Sequence, residues 1–204
     1  MIAIIDYGVG NLFSLKSSFG AIGAEAVITS DPAVIGSAER ILLPGVGAFR
    51  DAAAKLRETG MGALVKAEAA KGKPILGICL GMQMLFDKSY EYGVHERLGL
   101  IPGTIRPIAD VIPAGLKIPQ IGWNALEIRR DSPILSRVKD GDCVYFVHSY
   151  YAAECEPAIV AVTDYGAPLT AVVQNGSVYG CQFHPEKSGA IGLNILRSFC
   201  EVPV

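Results

Sequence analysis

The chain has 204 residues, 50 % of them hydrophobic and 19 % charged, with a formal net charge of −2 at pH 7. Such a composition is globular and excludes a disordered or collagen-like chain, and at this length a core forms without disulfides or metals. Eighteen basic residues balance twenty acidic ones without a basic block, so the chain lacks the electrostatic footprint of a nucleic-acid or anionic-membrane binder.

Residues 1–6 (MIAIID) read as a buried first strand, and residues 11–22 place Leu12, Leu15, Phe19 and Ile22 at helical spacing with Asn11 as N-cap. AVITS and RILLPGVG read as strands, FRDAAAKLRE and GALVKAEAAKG as helices, and PILGIC as a further apolar strand before another helix. The order β-α-β-β-α-α-β with apolar strands predicts a mostly parallel sheet covered by helices. From residue 99 onward the pattern changes to short strands: IPGTIRPI, QIGWNALEI, CVYFVHSYY, AIVAVT, LTAVVQNG and SVYGCQF. Gln174-Asn175-Gly176-Ser177 predicts a hairpin, and residues 188–200 predict a closing helix. The expectation is one α/β domain over residues 1–204 with an antiparallel addition. Residues 87–97 and 129–141 carry no usable signal.

No apolar run reaches the roughly 18 residues of a membrane span, and the N-terminus lacks the basic start of a signal peptide. Five cysteines without a CxxC pair fit reduced thiols, so a cytoplasmic protein without disulfides, structural zinc or other cofactor is expected. Cys143, Cys155, Cys181 and Cys200 read as small, buried apolar residues.

Cys79 differs from these four. In Gly77-Ile78-Cys79-Leu80-Gly81-Met82-Gln83 it follows an apolar strand with glycines at −2 and +2, the requirement of a sharp strand-to-helix turn that exposes a nucleophile. The helix N-terminus would favour its thiolate. A small cysteine packed between two glycines would give the same pattern. In Gln182-Phe183-His184-Pro185-Glu186, His184 precedes a proline and is biased to extended backbone, where residues two apart share a side. Glu186 can then orient the His184 imidazole, which can take a proton from Cys79 and return it to a leaving amine. A zinc-deaminase reading of His-x-Glu fails, because no P-C-x-x-C follows. Gly8-Val9-Gly10 and Gly45-Val46-Gly47 begin a dinucleotide fingerprint, but Phe13 and Arg50 stand where the third glycine belongs. Pro44-Gly45-Val46-Gly47 instead offers backbone N–H groups for an oxyanion, together with that of Leu80.

Gly77–Gln83 and Phe183-His184-Pro185-Glu186 together resemble the class I, triad-type glutamine amidotransferases. Within that family, four further blocks are similar to the glutaminase subunits of imidazole glycerol phosphate synthase. These are Asp6-Tyr7-Gly8-Val9-Gly10-Asn11-Leu12, Leu43-Pro44-Gly45-Val46-Gly47-Ala48-Phe49, Pro119-Gln120-Ile121-Gly122-Trp123-Asn124 and Phe146-Val147-His148-Ser149-Tyr150-Tyr151. The resemblance implies a flavodoxin-like three-layer α/β/α fold and hydrolysis of L-glutamine, with ammonia channelled to a (β/α)8-barrel cyclase subunit in a heterodimer of histidine biosynthesis. It implies that Cys79 is the nucleophile, His184 the acid and base, and Glu186 its orienter. Val46, after a peptide rearrangement made possible by Gly45 and Gly47, and Leu80 would supply the oxyanion donors. Gly47, Gln83 and the backbone of Ser149 and Tyr150 would hold glutamine. Asn11, Trp123 and Lys187 would face the cyclase, although a sole tryptophan also suits a core and Lys187 an ordinary surface. The glutaminase of pyridoxal phosphate synthesis is disfavoured, since that family has Gly-Gly-Glu-Ser where this chain has Pro44–Gly47. A non-catalytic partner on the same fold is disfavoured by the intact Cys79, His184 and Glu186.

Overall fold

In the computed structural model, residues 1–47, 49–91 and 93–204 are described, with the backbone only for Phe49 and Arg50. Ala48, within one of the sequence blocks above, and Tyr92, within the 87–97 segment, lie outside the described residues. The first half runs β1 (Ile2–Ile5), α1 (Leu12–Ala21), β2 (Ala26–Thr29), α2 (Pro32–Ser37), β3 (Arg40–Leu43), α3 (Phe49–Glu58), α4 (Met61–Ala70), β4 (Ile75–Ile78) and α5 (Leu80–Met84). The expected order lacked α2, whose six residues are too few to show a period. Its signals are Pro32 in the first turn and Asp31, whose side chain accepts from the Ala33 N–H at 2.8 Å. Asn11 occupies the N-cap position of α1 but makes no side-chain capping bond.

The second half runs β5 (Lys88–Ser89), β6 (His95–Glu96), β7 (Thr104–Pro107), β8 (Gln120–Ala125), β9 (Glu127–Ile128), β10 (Cys143–His148), β11 (Tyr150–Ala153), β12 (Ile159–Asp164), β13 (Pro168–Asn175), β14 (Val178–Cys181) and α6 (Gly189–Glu201). Two expected single strands divide here. QIGWNALEI splits into β8, which pairs with β10, and β9, which pairs with β12. CVYFVHSYY breaks at Ser149, so that β11 joins β7 instead. Each break transfers the chain between sheets, an event a continuous hydrophobic pattern does not mark. The hairpin at 174–177 forms as expected, with Asn175 opposite Val178 and Gly176 at φ 57°.

The main sheet has the order β2-β1-β3-β4-β14-β13-β12-β9. β2, β1, β3, β4 and β14 are parallel neighbours, and β13, β12 and β9 extend the sheet antiparallel. A small sheet of β11-β7-β5-β6 and the β8–β10 ribbon stand apart from it. β1, β3, β4 and β14 are buried along their whole length, as strands covered on both faces must be. Ala3, Ile5, Ile41 and Leu43 pack on one face with Ile35, Leu56, Met61 and Val65 of α2–α4. Ile2, Ile4, Leu42 and Leu76 pack on the other with Leu15 and Phe19 of α1 and Ile195 and Phe199 of α6. The result is the expected three-layer α/β/α arrangement, mostly parallel, with an antiparallel addition. β4 and β14 lie side by side with Ile78 opposite Cys181, which brings their carboxyl ends together despite a separation of about a hundred residues.

Candidate active site

Cys79 sits in the turn from β4 into α5 at φ 54° and ψ −112°, a conformation unfavourable for any L-residue. The surrounding glycines hold it there. A Cβ on Gly77 would come within 2.7 Å of the Met82 backbone, and one on Gly81 would overlap the Leu43 carbonyl oxygen. The Cys79 N–H donates to the Cys181 carbonyl at 2.7 Å, pinning the turn to β14.

Just past β14, the His184 N–H donates to the Tyr145 carbonyl at 3.0 Å and the Ser188 hydroxyl donates to the His184 carbonyl at 2.7 Å. Glu186 reaches the ring through a tight 3-10 turn, Pro185–Lys187, rather than along the extended segment anticipated from sequence. Proline at the turn's start reverses the chain, and Glu186 Oε1 meets His184 Nδ1 at 2.8 Å. Burial works against a charged His184 ring. Its hydrogen bonds to Cys79 and Glu186, and the charges of both, outweigh that cost and raise the imidazole to about 9. With Nδ1–H directed at Glu186, the other ring nitrogen serves Cys79.

An open cavity of about 780 Å³ lies over these groups. Among the residues lining it are Val46, Gly47, Leu80, Gln83, Ser149, Tyr150 and Lys187, beside Cys79 and His184. Gly45 lies behind the wall, where a Cβ would come within 2.5 Å of the Gly81 nitrogen, so close approach rather than positive φ is what demands glycine there. Gly47 has φ 88°, and a Cβ there would meet no described residue within 4 Å. The buried Tyr7 hydroxyl donates to the Pro44 carbonyl at 2.7 Å, anchoring the start of this loop. Burial first, and then the charge of Cys79, push that hydroxyl's pKa far up, so it stays a donor.

Trp123 is not in the core: 56 % of its surface is exposed, with Ile121 beside it on the outward face of β8 at 59 %. Its ring meets Tyr145 edge-on at 6.1 Å, and Lys187 Nζ lies 5.9 Å from the same Tyr145 ring. Half-buried Asn11 opens α1, which packs against the Pro185–Lys187 turn.

Three residues carried no role in the sequence reading. Glu91 is buried in the cavity wall, in the segment that gave no signal; its trace in sequence is Ser89, two residues earlier, whose hydroxyl accepts the Glu91 N–H at 3.1 Å. His148 lies between the Tyr150 carbonyl (2.8 Å) and the Gln120 side chain (2.9 Å). Burial, with a smaller push from His184 and opposed by the Tyr150 bond, lowers its pKa to about 4, so it is neutral near pH 7. Gln182, fully buried, places Nε2 3.8 Å from Cys79 Sγ. Both belonged to quoted blocks, but a buried amide and a buried imidazole look the same in sequence as structural polar residues. Among the other cysteines, Cys155 and Cys181 are buried and Cys200 partly so, whereas Cys143 is exposed at the start of β10 and corrects the expectation of four buried thiols. Burial pushes Cys155 up to about 11 and Cys181 higher still. Among the described residues, no three His, Cys, Asp or Glu side chains gather as a metal site, and no helix is long and apolar enough to cross a membrane.

Residues 3–201 match the family described as Glutamine amidotransferase class-I. The chain is 50 % identical over 203 residues to "Imidazole glycerol phosphate synthase subunit HisH" of Caldanaerobacter subterraneus subsp. tengcongensis, covering 99 % of this chain and 98 % of the relative. It is also 50 % identical over 206 residues to the subunit of that name from Methanothermobacter thermautotrophicus, covering 99 % and 98 %. Among solved structures, PurLQS from Thermotoga maritima superposes with a TM-score of 0.77 at 20 % identity, covering 98 % of this chain and 97 % of that one, a likeness of fold.

Proposed function

Because the chain belongs to the class I glutamine amidotransferases, and within them to the HisH subunits of imidazole glycerol phosphate synthase, we propose that it hydrolyses L-glutamine at Cys79 and passes ammonia to a separate cyclase subunit. The observation that carries this reading is the convergence of Cys79, His184 and Glu186 beneath one cavity, with the cysteine at φ 54°. In the first half-reaction the Cys79 thiolate adds to the side-chain amide carbon of glutamine. The amide oxygen becomes an oxyanion that accepts from the N–H of Leu80 and, after rotation of its peptide, of Val46. His184 gives its proton to the nitrogen, the C–N bond breaks, and ammonia leaves behind a γ-glutamyl thioester. In the second, neutral His184 takes a proton from water, the hydroxide oxygen adds, and the C–S bond breaks to release glutamate and the thiolate. Glu186 holds Nδ1–H throughout, fixing the tautomer and stabilising the imidazolium.

The rest of the cavity suits the α-amino acid end of the substrate. Gly47, Gln83 and the backbone of Ser149 and Tyr150 hold it, and Glu91 accepts from its ammonium. One domain, residues 1–204, carries the activity in the cytoplasm without metal or cofactor. The partner is a (β/α)8-barrel cyclase that docks on Trp123, Lys187 and Asn11 to form a heterodimer. Exposed Ile121 and Trp123, an apolar pair beside a cation at the mouth of the site, support that placement. The test is to mix the chain with a cyclase subunit and follow glutamate and imidazole glycerol phosphate together. Stoichiometric production of both, abolished by Cys79→Ser, is expected. Glutamate release unaffected by Cys79→Ser would overturn the reading.

A further inference from the structure

A carbonyl oxygen can only accept hydrogen bonds, and that of Tyr150 fixes the polarity of a buried amide chain ending on the Cys79 sulfur. Gln83 Nε2 donates to the Tyr150 carbonyl at 3.2 Å and to Gln182 Oε1 at 3.1 Å. With Oε1 so engaged, the Gln182 amide nitrogen is turned toward Cys79 Sγ, at 3.8 Å within the longer reach of a sulfur acceptor. Turning over the Gln83 amide would set its oxygen against the Tyr150 carbonyl. Turning over that of Gln182 would set two amide nitrogens together. Such mismatches are costly where Gln182 is 0 % and Gln83 4 % exposed. Gln182 and His184, two residues apart, thus approach the same sulfur from the segment leaving β14.

We propose that the Gln182 carboxamide is a second hydrogen-bond donor to the nucleophilic sulfur, oriented through Gln83 by the Tyr150 carbonyl. A donor fixed in this way restricts the sulfur to the attacking position. It also supports the charged sulfur alongside the His184 imidazolium, before the attack and again as the C–S bond breaks. Among the described residues, the titratable groups around Cys79 include His184, with Glu186 behind it and His148 nearby, Tyr7 from just past β1, and Glu91, Tyr150 and Lys187 in the same cavity wall. Replacing Gln182 leaves all of them in place. The proposal rests on the reading of Cys79 as the nucleophile.

The test compares wild type, Gln182→Met and Gln182→Glu. The first removes the donor, and the second still accepts from Gln83 but cannot donate when ionised. Glutamine kinetics are measured in the complex with the cyclase, and alkylation of Cys79 by iodoacetamide is followed by mass spectrometry across about pH 5–10. In both variants kcat should fall roughly tenfold with KM changed less than about twofold. The alkylation profile should move upward by about one pH unit. Unchanged kcat, or a lower kcat with an unmoved alkylation profile, would overturn the proposal, the latter reducing Gln182 to packing. Should neither variant fold, wild type labelled with [15N]glutamine decides: the Gln182 side-chain amide resonance must shift when Cys79 is alkylated, and a stationary resonance overturns the proposal. Failure of the glutaminase reading is separately visible as absence of glutamate release by the wild-type complex.

Discussion

A side chain on Gly81 would occupy the position of the Leu43 carbonyl oxygen, so the elbow that carries Cys79 is seated directly on the end of β3. Gly45, one step along the same loop, is wedged against the Gly81 nitrogen and Leu80 from the other side. These close approaches, mostly of backbone, lock the Cys79 turn to the Pro44–Gly47 loop.

Gly81→Ala and Gly45→Ala should therefore be severely destabilising, by more than about 4 kcal/mol, because backbone must move. Gly47→Ala meets no described residue within 4 Å, and its φ of 88° costs about 1–2 kcal/mol. Urea unfolding of the three variants checks the order. Similar losses at all three would show that conformation, and not contact, sets the need for glycine.

Cys143 is the exposed thiol, and it separates accessibility from function. Alkylation at Cys143 should not by itself cost activity, so that loss of turnover under a general reagent tracks Cys79 and not Cys143, and Cys143→Ser should be fully active. A glutamine-like electrophile, by contrast, should label Cys79 alone and abolish turnover. Cys155 and Cys181 should stay unlabelled in the native protein, since burial holds both as thiols. Peptide mapping after each reagent gives the answer, and inactivation that tracks Cys143 or Cys181 labelling would reject the assignment.

The two buried histidines predict opposite arms of a stability profile. His184 is raised to about 9 from the ordinary 6.5, so the fold binds its proton more tightly than the unfolded chain does. Its contribution is complete below about pH 6.5 and is lost as pH rises toward 9. His148 is held near 4, so its contribution is complete above about 6.5 and is lost as pH falls toward 4. Denaturant midpoints should thus decline in both directions from near pH 6.5. Glu186→Gln should flatten the alkaline arm and His148→Gln the acid arm. In turnover, His184→Ala should lose about 10²–10⁴-fold because it moves the protons, and Glu186→Gln less because it only holds the ring. An alkaline arm unchanged in Glu186→Gln would mean that Glu186 does not sustain the imidazolium.

What was legible in the sequence was whatever a local rule could mark. Apolar runs gave β1, β3, β4 and β14, Asn175-Gly176 gave the β13–β14 hairpin, and Gly77 and Gly81 gave the elbow. The extended bias before Pro185 placed His184 correctly, yet misjudged how Glu186 arrives, because a 3-10 turn of three residues has no period. Non-local events left no mark. The breaks at Leu126 and Ser149 depend on which sheet the chain joins next, and the inward turn of Glu91 depends on the cavity it lines. Gln182 shows the same limit more sharply. Its neighbours Gln83 and Cys79 are about a hundred residues distant in sequence and are met only because β14 lies beside β4.

The free chain should be a poor glutaminase whose rate depends on the ligand state of the cyclase. An unregulated site would consume glutamine while its ammonia escaped, and the Pro44–Gly47 loop is the expected switch. Its start is fixed: Tyr7 holds the Pro44 carbonyl and Gly45 is wedged against the elbow. At its end, Gly47 already occupies a glycine conformation, with no described residue within 4 Å of a Cβ there, and can absorb a compensating rotation. The expected switch is a rotation of the Gly45–Val46 peptide that turns the Val46 N–H toward the oxyanion position. One such donor is worth about 3–4 kcal/mol, roughly a hundred- to a thousandfold in rate. Ligand in the cyclase shifts this equilibrium only if the ligand-bound complex prefers the rotated state, a preference expected to pass through a docked face that includes exposed Trp123 and Lys187. Glutamate production should rank free chain, ligand-free complex and ligand-bound complex in increasing order. Gly47→Ala should reduce the ligand-dependent increment more than the basal rate, and Trp123→Ala should weaken complex formation with little effect on the stability of the free chain. Equal rates in all three states, or full ligand activation in Gly47→Ala, would exclude the loop as the switch.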